Sequence, residues 1–170
     1  ELANIFSELE FFSLLKNTST KSNQKEIKFT TILDAKEIED ADTYAYYIEC
    51  DKENYHDANI IGMSVVTKKN NYYVPKLLIN DTLEFLKDKI KYTYDLKKNI
   101  CLLKSEDLLS NTIFDTMISS YLLEENTKED IAYLMIPKDY KIEFYDASLK
   151  NGFNSKDIVT KARFIYDTRD

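Results

Sequence analysis

The sequence predicts a single α/β domain in which a mixed sheet is flanked by helices, and three observations lead there. The chain has 170 residues, enough for one hydrophobic core and too few for two comfortable ones. Its apolar content of 44%, with 13 tyrosines and nine phenylalanines, can offset the entropy of ordering the backbone, so disorder is excluded as the main state. Strand-like runs before residue 80 give way to a 3.6-residue period after it, with one short strand among the later helices.

In chain order, Ile5, Leu9 and Phe12 recur at helical spacing and predict an amphipathic helix over 3–16, followed at 17–25 by a polar stretch without an apolar anchor. Residues 1–25 are therefore expected as a lead-in helix and linker, and 26–170 as the domain. Runs rich in β-branched and aromatic residues at 27–33, 43–50 and 59–67, with a short fourth at 72–75, predict strands spaced for an antiparallel meander. A short helix over 35–40 separates the first two. Alternation places Tyr44, Tyr46 and Ile48 on one face of the second strand and Ala45, Tyr47 and Glu49 on the other. On the third strand it sets Ile61, Met63 and Val65 against Ile60, Gly62 and Ser64.

From Asp81 the period changes. Asp81 with Glu84 spells a capping box, and Leu83 and Leu86 mark the face of the helix that follows. A strand at 90–94, a helix through Leu96, Ile100 and Leu103, and another over 113–123 come next. Residues 127–130 cap a helix with Ile131, Leu134 and Met135 inside, stopped by Pro137, and 157–168 form the last helix.

Several chemistries are excluded. Cys50 and Cys101 have no partner at ligand spacing and read as reduced core thiols. The single histidine, His56, lies in a polar, loop-like stretch that offers no catalytic set. Gly62 and Gly152 are the only glycines, which rules out a glycine-rich phosphate loop. No apolar run approaches the roughly 20 residues that cross a bilayer. The start at Glu1 has neither a basic leader nor an initiator Met, and reads as a piece of a longer cytosolic chain. The net charge of −7 predicts that the domain alone lacks the basic face needed to grip phosphates. Tyrosines 44, 46, 47, 72, 73, 92 and 94 could stack on bases, but in strands they read as sheet-face packing. The acidic run 124–130 reads as a helix-cap region.

Four blocks, read in order, allow more: Phe6-Ser7-Glu8-Leu9-Glu10-Phe11-Phe12-Ser13-Leu14-Leu15, Asn59-Ile60-Ile61-Gly62-Met63-Ser64, Tyr72-Tyr73-Val74-Pro75, and Phe114-Asp115-Thr116-Met117-Ile118-Ser119-Ser120-Tyr121-Leu122-Leu123. Together they resemble the 3′–5′ exonuclease domain of bacterial DNA polymerase I, family A, over essentially the whole chain. The resemblance implies a ribonuclease H-like fold. It implies a lead-in helix joining a preceding 5′-nuclease region, and a polymerase domain of the same chain as the partner. DNA would be met through the full-length protein, weakly or not at all by this domain alone. The resemblance also implies a monomer without membrane contact, in the bacterial cytoplasm. In active relatives four carboxylates hold two divalent cations about 4 Å apart, which orient a water and stabilise the leaving oxygen.

Carried over residue by residue, that site is depleted here. The Asp-x-Glu motif falls on Tyr47-Ile48-Glu49, the Asn-x-x-x-Asp motif on Asp95 to Asn99, and the Tyr-x-x-x-Asp motif on Asp157 to Lys161. A phenol, an amide and an ammonium stand where three of the four carboxylates belong, so Glu49 is the sole surviving candidate ligand. Hard cations require several anionic oxygens. The expectation is a domain without exonuclease activity, without bound Mg²⁺ or Mn²⁺, and with Glu49 solvated or paired to Lys161. The alternative is an active two-metal exonuclease with shifted motifs, which would need Mg²⁺ or Mn²⁺. Asp115 is read as a helix N-cap.

Overall fold

The computed structural model describes residues 27–106, 108–125 and 128–169, so the expected lead-in helix and linker lie outside the described residues. One sheet has the strand order β1-β4-β3-β2-β5-β6, with β1 Thr30–Thr31, β2 Thr43–Cys50, β3 Ile60–Val66, β4 Asn71–Pro75, β5 Ile90–Thr93 and β6 Thr112–Asp115. The helices are α1 Ile79–Leu86, α2 Leu96–Leu103, α3 Thr116–Leu122, α4 Ala132–Met135, α5 Tyr145–Asn151 and α6 Ser155–Asp167.

β2, β3 and β4 form the expected antiparallel meander, and β5 and β6 extend it in parallel. The run at 27–33 does not join it. Only Thr30 and Thr31 pair, in parallel with β4. A capping box stops the strand: Asp34 Oδ1 accepts from the Lys36 N–H, and Glu37 Oε1 accepts from the N–H groups of Leu33 and Asp34. Those amides are committed to a single turn at Ala35–Glu37 instead of a ladder.

Alternation along β2 holds. Tyr44, Tyr46 and Ile48 pack beneath α1, and Ala45 and Tyr47 enter the opposite cluster with α4 and α6. Along β3 it breaks, because Met63 and Val65 keep the α1 side but Ile60 joins them while Ile61 faces α6. The cause is a bulge. Glu49 pairs with Gly62 and Cys50 with Ile60, so Ile61 is an extra residue that reverses the side-chain order. Gly62 has a packing role here, since a Cβ would meet the Tyr73 hydroxyl at 2.5 Å.

Three helix boundaries also move. α1 starts at Ile79, ahead of the Asp81–Glu84 pair, because a single turn at Lys76–Leu78 leads into it from Pro75. The stretch at 113–123 divides into β6 and α3 at Asp115, whose carboxylate accepts from the Met117 N–H as the expected cap. Pro137 sits within one further turn, Ile136–Lys138, and α5 lies where no helix was anticipated.

α6 matters most for the site. It crosses β2 and β3 and buries Ile158, Ala162 and Ile165, each large aliphatic side chain contributing about 1.5–3 kcal/mol. Ser64 on β3 donates its hydroxyl to the Ile158 carbonyl at 2.8 Å, which sets the helix's position along the strand.

Candidate functional site

Three sequence-predicted residues meet where α6 crosses β2. Glu49, on the α6 face of the sheet, is fully buried, and Lys161 on α6 is 2% exposed. The Lys161 ammonium donates to Glu49 Oε2 at 2.5 Å, while the Cys50 N–H makes a longer contact with Oε1 at 3.3 Å. Tyr47 lies two residues before Glu49 on the same face, and its ring covers the ammonium at 4.9 Å. A buried carboxylate therefore carries its own countercharge, and a phenol roofs the pair.

Asn99 does not join them. Its amide donates to Thr93 Oγ1 at 2.8 Å and to the Tyr94 carbonyl at 3.4 Å. Thr93 points away from its strand neighbours Tyr92 and Tyr94, both in the cluster with Tyr47, so Asn99 is anchored to the other sheet face. Asp157 is also separate. Burial pushes its carboxyl above the usual range, and it lines a different groove from the one beside Tyr47.

Asp95 does reach the Tyr47 side. Together they line an open cleft of about 750 Å³ bounded by α2, residues 128–133 and α5. Asp95 adopts a left-handed conformation at φ 56° and caps α2 by accepting from the Lys98 N–H at 3.0 Å. Asp115 fixes this corner, accepting from the N–H groups of Asp95 at 3.0 Å and Leu96 at 2.8 Å. Burial raises the Asp95 carboxyl from its ordinary value.

Sequence reasoning missed Lys98 and Tyr145. The Lys98 ammonium lies 5.9 Å from the Tyr47 ring centre and 5.8 Å from that of Tyr145, so Tyr47 stands between two lysines. Tyr145 donates its hydroxyl to the Cys50 carbonyl at 2.8 Å, and its own N–H is held by Asp130 Oδ2 at 2.8 Å. Asp130 also accepts from the Ala132 N–H, so the acidic run does contain a cap. Nothing in the periodicity around Tyr145 marked it, because α5 buries only Ser148 and shows no apolar face.

Electrostatics limit what this site can do. Burial first, then the charges of Glu49 and Asp130, push the Tyr47 hydroxyl well above the ordinary phenol range, so it stays neutral and cannot act as a base near pH 7. Glu49 is neutralised and out of solvent. Among the described residues no group of three or more His, Cys, Asp or Glu side chains is placed to hold a metal ion. A divalent pair does not fit beside Glu49, since the Lys161 ammonium already occupies that carboxylate and hard cations require several anionic oxygens.

Residues 46–149 match the family described as DNA polymerase I, ribonuclease H-like domain. DNA polymerase I of Bacillus subtilis (strain 168) is 24% identical over 178 residues, covering 92% of this chain and 20% of the relative. DNA polymerase I of Bacillus caldotenax is 30% identical over 149 residues, covering 81% of this chain and 17% of the relative. The chain thus spans about a fifth of the length of these relatives. Two solved structures share the fold: the Aedes aegypti Nibbler EXO domain, with TM-score 0.54, 10% identity and coverage of 88% and 87%, and Brucella melitensis NrnC, with TM-score 0.53, 13% identity and coverage of 82% and 76%. Among the described residues no helix is long and apolar enough to cross a membrane.

Proposed function

Because the chain belongs to the family of DNA polymerase I ribonuclease H-like domains, we propose that it is an exonuclease-region domain without proofreading chemistry, which serves as a structural module for the polymerase part of a longer chain. The buried Glu49–Lys161 pair beneath Tyr47 carries this reading. Phosphodiester hydrolysis needs an activated water and a stabilised leaving oxygen. An ammonium-neutralised carboxylate and a neutral phenol supply neither of these.

A module supporting a larger neighbour should keep apolar surface for it. Ile118 and Leu122 are one turn apart on α3 and are 54% and 80% exposed, close in sequence to Ile113 at 66% on the edge strand β6. Such a protein would work beside DNA in the bacterial cytoplasm.

The test incubates the chain, freed of contaminating nucleases, with 5′-labelled single-stranded DNA and Mn²⁺. No shortening is expected. Metal-dependent cleavage that Glu49→Gln abolishes would establish an active two-metal exonuclease instead.

A further inference from the structure

The cleft beside Tyr47 does not suit a divalent pair, yet it is negative and walled with rings. Its lining carries five carboxylates against three lysines, and six of its sixteen residues are aromatic. Asp130 is committed to the N–H groups of Ala132 and Tyr145. Glu53, Glu129 and Asp146 are exposed and form no ion pair among the described residues. At the inner end, burial raises the Asp95 carboxyl from its ordinary value, and the charges of Asp115 and Glu129 add to that effect. An added positive charge is therefore favoured there.

One buried polar group opens into this space without a partner. Tyr47 is 6% exposed, and its hydroxyl reaches the cleft but forms no hydrogen bond among the described residues. A neutral phenol offers an oxygen lone pair to an incoming donor. The rings around it already attract a cation. The Lys98 ammonium, 5.9 Å from the Tyr47 ring centre and 5.8 Å from that of Tyr145, has no ion-pair partner among the described residues. Aromatic faces hold it in place of a carboxylate.

We propose that this cleft binds a linear aliphatic polyamine, its ammonium groups met by the Tyr47 hydroxyl and the carboxylates of Asp95 and Glu129, its methylenes lying against the rings. The inference rests on the reading of the site as free of a metal pair. A hard dication requires several converging anionic oxygens, which the described residues do not gather. An alkylammonium is satisfied by a single carboxylate, a phenol oxygen and an aromatic face. Several ammonium groups on one chain also match carboxylates that are spread out, since Asp95 begins α2, Glu129 precedes α4 and Asp146 lies on α5. An anionic ligand would meet the lysines but would have to enter against the acidic excess.

Equilibrium dialysis of the 170-residue chain against labelled spermidine, in metal-free buffer of low ionic strength, tests this. Asp95→Asn/Glu129→Gln should bind at least about tenfold more weakly, the loss expected from one charge-assisted hydrogen bond. Asparagine keeps an oxygen for the Lys98 N–H, so the cap of α2 is retained. Tyr47→Phe removes only the hydroxyl and should bind at least about threefold more weakly. A control with the same charge change as the double variant, Glu84→Gln/Glu106→Gln, should stay within about twofold, because exposed charges act weakly at a distance. Both control residues are exposed and lie outside the cleft. No retention of spermidine at millimolar concentration, equal losses in cleft and control variants, or displacement by Mg²⁺ at equal charge would each overturn the assignment. Equal binding of acetylated trilysine amide would overturn it too, and would make the cleft a seat for lysine side chains of a protein. Dialysis reads binding without cleavage, so its failure leaves the DNA-shortening test untouched, whereas Mn²⁺-dependent shortening would remove the premise.

Discussion

Removing Lys161 tests the site most directly, because Glu49 has no solvent to fall back on. Glu49 is fully buried and Lys161 nearly so, so Lys161→Met keeps the helix-forming stem and leaves an uncompensated charge beneath the Tyr47 ring. Breaking a buried pair from one side costs about 3–5 kcal/mol, a large part of the roughly 5–15 kcal/mol that holds a domain together. With a urea m-value of about 2 kcal/mol/M the midpoint should fall by roughly 1.5–2.5 M. Glu49→Met should fall similarly, whereas the double variant Glu49→Met/Lys161→Met removes both charges and should recover to wild-type stability or exceed it by about 1–4 kcal/mol. Circular dichroism followed through urea titrations of all four proteins gives the full cycle. If Lys161→Met costs less than about 1 kcal/mol and the two single effects add within about 0.5 kcal/mol, the ammonium is not the countercharge of Glu49 and the site has been misread.

Other substitutions probe the frame around that pair. Asp115→Ala withdraws one carboxylate from three N–H groups at the starts of α2 and α3, and should cost about 2–3 kcal/mol, since single caps contribute about 0.5–2 kcal/mol; a loss under about 1 kcal/mol in thermal melts would refute the shared cap. Lys91 is buried with its ammonium donating to the carbonyls of Leu86, Lys87, Lys89 and Ser110, and burial lowers its pKa from 10.5 to about 8. The folded state then holds fewer protons than the unfolded state between those values, so this residue's contribution to stability should rise as pH climbs from 8 to 10.5. Lys91→Met should flatten that rise, and parallel pH profiles for the two proteins would contradict it. Gly62→Ala forces the Tyr73 ring away from β3 and should cost about 1–3 kcal/mol as an overpacked site, which a urea titration can read. Finally, Tyr47→Asp/Lys161→Asp places three carboxylates around one point and should melt lower than wild type in EDTA and regain stability with Mn²⁺; a melting temperature indifferent to Mn²⁺ would argue that the backbone no longer suits a metal.

Much of the sheet was legible in the sequence because its strands are marked twice, by β-branched and aromatic content and by alternation. β2 shows this best, with Tyr46 and Tyr47 correctly assigned to opposite faces. Failures fall where a local hydrogen bond outweighs periodicity. The Asp34–Glu37 box shortens β1, the bulge opposite Glu49 exchanges Ile60 and Ile61, and Asp115 divides one apolar run into a strand and a helix. The pairing of Glu49 with Lys161 was one of two outcomes that the family resemblance implied, a solvated Glu49 being the other, and periodicity shows neither, since a strand residue and a helix residue 112 positions apart leave no periodic trace. Lys98 and Tyr145 could not be foreseen in this way, because their roles depend on how α2 and α5 frame the cleft.

The placement of Asn99 bears on how the site changed. Under the motif placement that sets Asn99 at a ligand position, its amide is expected beside Glu49. Instead it is bonded to Thr93 and Tyr94, and the space near Glu49 is taken by an ammonium and two aromatic rings, Tyr47 and Tyr145. The surroundings of Glu49 are therefore filled by a countercharge and packed rings, and Asn99 belongs to a separate network on the other sheet face. Restoring one carboxylate at Lys161 would add a second buried anion with no cation to meet it, a change that low dielectric penalises heavily. A single carboxylate at position 161 should therefore be less stable than the present pair, which urea titration of Lys161→Asp can read.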